Sequence, residues 1–283
     1  MKRTISYCAA AIMGACMLAS CDSDKTEFKA NDDGTAVLTS KGVDYEMLLV
    51  EAGSFRIGAT AEMQNVTPHE EQPAHDVTLT KDYFLGKTEV TQELWEAVMG
   101  DIDPAARLQG KNMPMINVSW DDCQKFVKKL NELTGKQFRL PTEAEWECAA
   151  RGGRYSRGYR YPGSDTYTDV AWCSSNAFSP GKGGRDFGMH PHGELQANEI
   201  GLYDMAGNVS EWCQNAYYRY TYRDSICNEA FNQRHQPLHA AEGYVGDTLI
   251  LRGGSWYQSN ATAFGTASRQ EYSRGANDRE NLQ

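Results

Sequence analysis

The apolar positions of this 283-residue chain recur with helical spacing in some stretches and lose regular spacing in others. The clearest period lies between Ser119 and Thr134, where Trp120, Cys123, Phe126, Val127, Leu130 and Leu133 fall on one face of a helix. Ser119 is placed to cap that helix, and Asp122, three residues on, completes a capping box. Asp121 and Asp122 sit at the positive end of the helix dipole, Lys125, Lys128 and Lys129 lie toward the negative end, and Gly135 supplies a left-handed stop. The same signals predict a second helix from Thr142 to Arg151. Pro141 precedes it, Thr142 caps, Glu145 closes the box, and Ala144, Trp146, Ala149 and Ala150 form its packed side. A third, shorter helix is predicted over Thr91 to Met99, with Leu94, Trp95 and Val98 on one face. Met47 to Gly58 reads as a β-hairpin, His75 to Val90 as further strands, and Thr248 to Trp256 as the last strand.

Between 152 and 248 the period lapses, and Gly, Asn, Ser, Tyr and Trp dominate. Irregular backbone of such length is uncommon in a folded domain. Bound metal, disulfides or buried aromatic residues are expected to hold it.

The N-terminus carries a different pattern. Lys2 and Arg3, an apolar run from Ile5 to Leu18, and Leu18-Ala19-Ser20-Cys21 make the three parts of a signal peptide, and the last part resembles the lipobox of bacterial lipoproteins. The run is too short to span a bilayer as a helix. Residues 1–20 are therefore expected to be removed and Cys21 to carry lipid, whose chains add about 0.8 kcal/mol per buried methylene to membrane attachment. That predicts an exported protein anchored to the cell envelope, at the outer membrane. The acidic residues after Cys21 resemble surface-export signals. Residues 21–41 are polar and read as a flexible tether, leaving 42–283 as the folded domain.

The formal charge of −10 becomes more negative once Lys2 and Arg3 leave with the signal. That charge argues against nucleic acid and anionic lipid head groups as partners. Beyond Cys21 stand Cys123, Cys148, Cys173, Cys213 and Cys227, an odd number that leaves a free thiol and allows one or two disulfides in an oxidising compartment. No Cys-x-x-Cys pair suggests a zinc knuckle.

Four segments, in order, carry a resemblance. They are Pro114-Met-Ile-Asn-Val-Ser-Trp120; Phe138-Arg-Leu-Pro-Thr-Glu-Ala-Glu-Trp-Glu147 with Ala149-Ala-Arg-Gly-Gly153; Asn198-Glu-Ile-Gly-Leu-Tyr-Asp-Met-Ala-Gly-Asn-Val-Ser-Glu-Trp212; and Leu251-Arg-Gly-Gly-Ser-Trp256. Phe55 to Gly58 and Thr88-Glu-Val-Thr91 fit ahead of them. Together they resemble the formylglycine-generating enzyme, or sulfatase-modifying factor, family over about residues 45 to 283. The resemblance implies an α+β, C-type-lectin-like fold with much irregular structure and structural calcium. It places one calcium on the Asp204 and Glu211 side chains and the Gly207 and Val209 carbonyls, and matches Asn176 to a ligand of a second site. Asp204 and Glu211 flanking a Gly-bearing turn offer hard oxygens that suit calcium, whereas the residues taken without the resemblance favour a surface turn with a helix cap.

The same resemblance bears on catalysis. The family's enzymes bind copper(I) through two cysteines after Arg-Gly-Gly-Ser-aromatic and oxidise a sulfatase cysteine to formylglycine. Here Gln258 and Ala263 occupy those positions, so copper and the catalytic residues are not expected. A histidine-bound iron at His190, His192, His235 or His239 is disfavoured too, because the relatives that use one carry an additional helical domain. Trp256, Tyr257, Gln258, Asn260 and Arg269, with Phe264 and Tyr272, would line the old groove and suit a peptide, glycan or envelope-protein ligand. Tyr217 to Tyr222 offers a second aromatic platform, or simply a packed strand. The expected function is a calcium-stabilised binding or assembly module, with a sulfatase-maturation oxidase and a purely structural envelope protein as alternatives.

Overall fold

A computed structural model describes residues 25–60, 63, 71–103, 112–177, 188–217 and 248–273. The signal segment, Cys21, Cys227, His235, His239 and 218–222 lie outside the described residues. Nine strands and three α-helices are described. A four-stranded antiparallel sheet, in the order β1-β2-β3-β6, is built from β1 (Thr26–Ala30), β2 (Thr35–Ser40), β3 (Val43–Val50) and β6 (Tyr83–Gly86). β4 (Gly53–Ile57) pairs with β5 (His75–Leu79), and β7 (Glu211–Ala216), β8 (Thr248–Arg252) and β9 (Gln270–Ser273) form a third sheet.

Two readings of the strands are corrected. The stretch read as a tether is folded from Thr26 onward: β1 and β2 pair in register from Thr26↔Ser40 to Ala30↔Ala36, and Leu38 is 1 % exposed. Phe28 packs edge-on against Phe84 and Phe138, which fixes β1 to the body of the domain. Met47 to Gly58 is not a hairpin: β3 pairs with β2 and β6, while β4 joins β5 in a separate sheet. The strand read as the last is followed by β9.

The helices form where their caps and stripes place them. α1 (Gln92–Met99) is capped by Thr91, whose hydroxyl accepts from the Leu94 N–H. α2 (Trp120–Thr134) has the Ser119–Asp122 box and ends on Gly135 in the left-handed region. Trp95 of α1 stacks on Phe126 of α2 with centroids 4.8 Å apart, and these helices cover the four-stranded sheet through Leu38, Tyr45, Leu94 and Leu130.

α3 (Glu143–Ala150) is buried on every side, beyond the one packed face expected of it. Glu143 and Glu147 therefore enter the core and must find cations there. Arg252 of β8, fully buried, donates to Glu147 at 2.7 Å and to Glu143 at 3.1 Å, and its other arm reaches the Thr266 and Ser268 carbonyls. Arg269 closes on both Glu143 oxygens at 2.6 and 3.0 Å. Arg151 reaches Glu147 and the Gly58 carbonyl. Burial alone would raise Glu147, but the Arg151 and Arg252 guanidiniums prevail and hold it below the ordinary carboxylate value. Arg139 takes Glu145 in a bidentate grip while Glu145 caps the helix. Glu143 and Glu147 of Thr-Glu-Ala-Glu-Trp-Glu and the arginines of Leu-Arg-Gly-Gly and Ser-Arg are thus one interlocked structural cluster.

The irregular middle is held by buried aromatic packing, as of Tyr161 and Tyr167 with Phe264, and by side-chain hydrogen bonds to backbone. Asn198 donates to Ala149 and Ala150 carbonyls and accepts from Ile200 and Leu202 N–H groups. Side chains of this kind satisfy backbone groups that a ladder would otherwise pair. Disulfides do not contribute among the described residues: Cys123, Cys148, Cys173 and Cys213 are all free.

Candidate functional site

The turn from Asp204 to Glu211 bonds to segments far apart in the chain, at Glu89, Trp172, His190 and Gly253. Asp204, Gly207 and Asn208 all adopt the left-handed region, at φ 55, 71 and 53°. Asp and Asn visit this region more readily than other side chains. Gly207 is required for a further reason: a Cβ there would lie 2.2 Å from the Trp172 carbonyl oxygen. The turn is closed by Asn208, which donates to Glu89 and to the His190 carbonyl, and by Glu89, whose other oxygen accepts the Val209 N–H at 3.0 Å.

Three carboxylates lie along the turn, Glu89 and Asp204 buried and Glu211 partly buried. Burial pushes Glu89 well above its ordinary value, and the Asp204 and Glu211 charges push the same way against the Val209 and Asn208 donors. Burial raises Asp204 to about 6, opposed by the Gly193 N–H that its side chain accepts at 2.7 Å. Burial raises Glu211 to about 7, opposed by the Trp146 indole N–H at 2.7 Å and reinforced by Asp204. Among the described residues no lysine or arginine pairs with any of the three. Uncompensated buried carboxylates of this kind fit a hard cation that keeps them ionised. No three His, Cys, Asp or Glu side chains among the described residues converge as a metal site, so a cation at this turn would have to be held by backbone oxygens as well. Glu89 was not singled out from the sequence; its place in Thr88-Glu-Val-Thr91 was the available signal.

Asn176 has a local role. Its side-chain oxygen accepts the Cys173 N–H at 2.8 Å, and its amide donates to the Ala171 carbonyl. His190 stacks on Trp172 with centroids 3.7 Å apart, and its Nε2 lies 3.0 Å from the Ala177 carbonyl.

The far side of the turn opens on a cavity of about 170 Å³ walled by Asn208, Val209, Trp256, Tyr257, Gln258 and Tyr272. The Trp256 N–H donates to the Asn208 carbonyl, so turn and cavity share backbone. Three expected ligand residues, Trp256, Tyr257 and Gln258, line it, and Tyr257 is 53 % exposed. Asn260 instead caps the 3-10 turn Ala261–Phe264 by accepting the Thr262 N–H. Arg269 is a correction: its side chain is 1 % exposed and locked on Glu143, so it faces the core rather than a ligand. Phe264 is likewise fully buried, and Tyr217 packs under the Arg269 guanidinium.

Gln258 and Ala263 come together around Gly254. A Cβ on Gly254 would lie 2.5 Å from Gln258 Oε1 and 3.0 Å from the Ala263 carbonyl. Gln258 Oε1 accepts the Ser255 N–H at 3.0 Å. An amide and a methyl do not fit copper(I), which takes soft thiolate ligands. Of the described cysteines, burial pushes the Cys123 and Cys148 thiols up to about 12 and Cys213 well above its ordinary value, while Cys173 Sγ lies against Ser175 and Asn176.

Comparison with known proteins agrees with this architecture. Residues 36–280 match the sulfatase-modifying factor enzyme 1-like domain. The chain is 32% identical over 213 residues to the chaperone protein LppX of Paenibacillus barcinonensis, covering 60% of this chain and 71% of that one. It is 31% identical over 187 residues to the inactive C-alpha-formylglycine-generating enzyme 2 of Bos taurus, covering 64% of this chain and 49%, about half, of that protein. Among solved structures, Treponema denticola variable protein 1 matches with a TM-score of 0.64 at 27% identity, over 86% of this chain and 95% of that one.

Proposed function

The chain belongs to the sulfatase-modifying factor family, and from that premise we propose that it is an envelope lipoprotein that uses the family's domain as a binding or assembly module and does not make formylglycine. One observation carries the reading: the positions matching the family's copper cysteines hold Gln258 and Ala263, packed around Gly254. An aromatic cavity lies beside them, as a binding role requires. Similarity to a relative named as inactive and to another named as a chaperone supports a non-catalytic use of the domain.

Calcium is the proposed structural ion, held by the Asp204 and Glu211 carboxylates and the Gly207 and Val209 carbonyls. Bound there, it neutralises the buried carboxylates and stiffens the floor of the cavity. Attachment to the envelope is through lipid on Cys21. Cys21→Ser should lose labelling by a fatty-acid precursor; undiminished labelling would contradict the anchor.

Copper(I) titration tests the central point. The native chain should take up no stoichiometric copper(I), whereas the double variant Gln258→Cys, Ala263→Cys should gain one tightly held ion. One equivalent bound by the native chain would overturn the proposal and revive the sulfatase-maturation oxidase.

A further inference from the structure

We propose that the cavity beside the Asp204–Glu211 turn binds a neutral sugar ring. The proposal rests on the binding-module reading and names its ligand class. About 23% of the chain is charged, yet among the described residues no charged side chain lines this cavity. A phosphate, carboxylate or ammonium group entering it would lose water without gaining a counter-charge, which disfavours nucleotides, acidic sugars and charged peptides.

The polar groups that line it are amides and hydroxyls, and several have hydrogen-bonding capacity left over. Asn117 lines the cavity, adopts φ 57°, and has a buried side-chain oxygen with no hydrogen-bond partner among the described residues. The Gln270 side chain, also lining it, makes no hydrogen bond among the described residues. Gln258 spends its oxygen on the Ser255 N–H, which leaves its amide donors. An amide offers a donor beside an acceptor, and a pair of neighbouring ring hydroxyls matches that arrangement. A buried acceptor left without a partner costs on the order of 1–3 kcal/mol, which a ligand hydroxyl recovers.

Aromatic rings complete the wall. Trp256 and Tyr257 meet edge to face at 5.7 Å, and Tyr272 stands edge-on to Trp212. The electron-rich faces of such rings attract the weakly positive C–H face of a sugar. The size agrees: about 170 Å³ lies below the roughly 300 Å³ at which pockets for drug-sized molecules begin. It admits one ring rather than a length of peptide backbone. This recognition requires no metal contact to the sugar.

Saturation-transfer NMR on the full chain tests this. The panel holds glucose, galactose, mannose and N-acetylglucosamine, with sialic acid and a cysteine-motif sulfatase peptide alongside. Transfer to the ring C–H protons of at least one neutral sugar is expected. Affinity should fall about tenfold or more in Tyr257→Ala and in Gln270→Ala, as for an anchoring contact. Tyr155→Ala, an exposed tyrosine elsewhere on the surface, should leave it unchanged. No transfer from any neutral sugar, or transfer indifferent to both cavity substitutions, overturns the proposal. Binding of the peptide or sialic acid in place of the sugars overturns it too, while leaving the binding-module reading intact; conversion of the peptide removes both.

Discussion

Glu71 sits 1 % exposed beside the arginine–glutamate cluster, with one oxygen accepting the Arg269 N–H at 3.3 Å and the other without a partner. Burial raises it to about 8, the Arg252 and Arg269 charges lower it, and Glu147 raises it. A carboxyl raised in the fold stabilises the folded state below its ordinary value near 4.5, and that contribution is lost as pH climbs toward 8. Glu71→Gln keeps the acceptor for Arg269 and removes the ionisation. Urea unfolding should show the variant gaining on the native chain between pH 5 and 8, by on the order of 1 kcal/mol or more at the upper end. A constant difference across that range would mean that Glu71 ionises without penalty. The same scale shows what residue-by-residue reading misses. Arg269 reads as a groove residue because it follows the Arg-Gly-Gly-Ser-Trp segment closely; only the fold brings Glu143 to it, 126 positions away.

At the scale of elements, the helices were legible because their information is local: a cap, a stripe and a stop within one stretch, as in Ser119, Phe126 and Gly135. The strands were less so, because a strand's partner is not local. Met47 to Gly58 has strand composition throughout, yet β3 and β4 leave for different sheets. β1 was missed because a half-exposed edge strand of polar composition reads like a linker. The family segments made the Asp204–Glu211 turn and part of the cavity legible, whereas Asn117 and Gln270 join it only through the fold. β1 provides a test of its own. Deleting 26–34 removes Phe28 from Phe84 and Phe138 and uncovers β2. Loss of this partly buried aromatic contact predicts destabilisation of roughly 1–2 kcal/mol, read as a lower Tm. An unchanged Tm would restore the reading of this segment as a tether.

At the scale of the whole molecule, the turn from Asp204 to Glu211 ties Glu89, Trp172 and His190 to the cavity wall, so the ion proposed there should govern global stability. Added calcium should raise Tm, by an amount that grows with the logarithm of its concentration above Kd, and chelation should reverse it. Asp204→Ala should abolish the response. A Tm indifferent to calcium and chelator would remove the ion from the account and leave the three carboxylates to be held by protonation.

The central claim is that the scaffold persists without the family's oxidative chemistry. The most direct test is turnover: the full chain incubated with copper(I), oxygen and a peptide bearing the sulfatase cysteine motif, with the peptide's mass followed over time. The account predicts an unchanged peptide, at the level of a control without protein, from a chain that remains folded. Conversion of the cysteine to formylglycine above that control would contradict it and require a copper site built from residues other than Gln258 and Ala263.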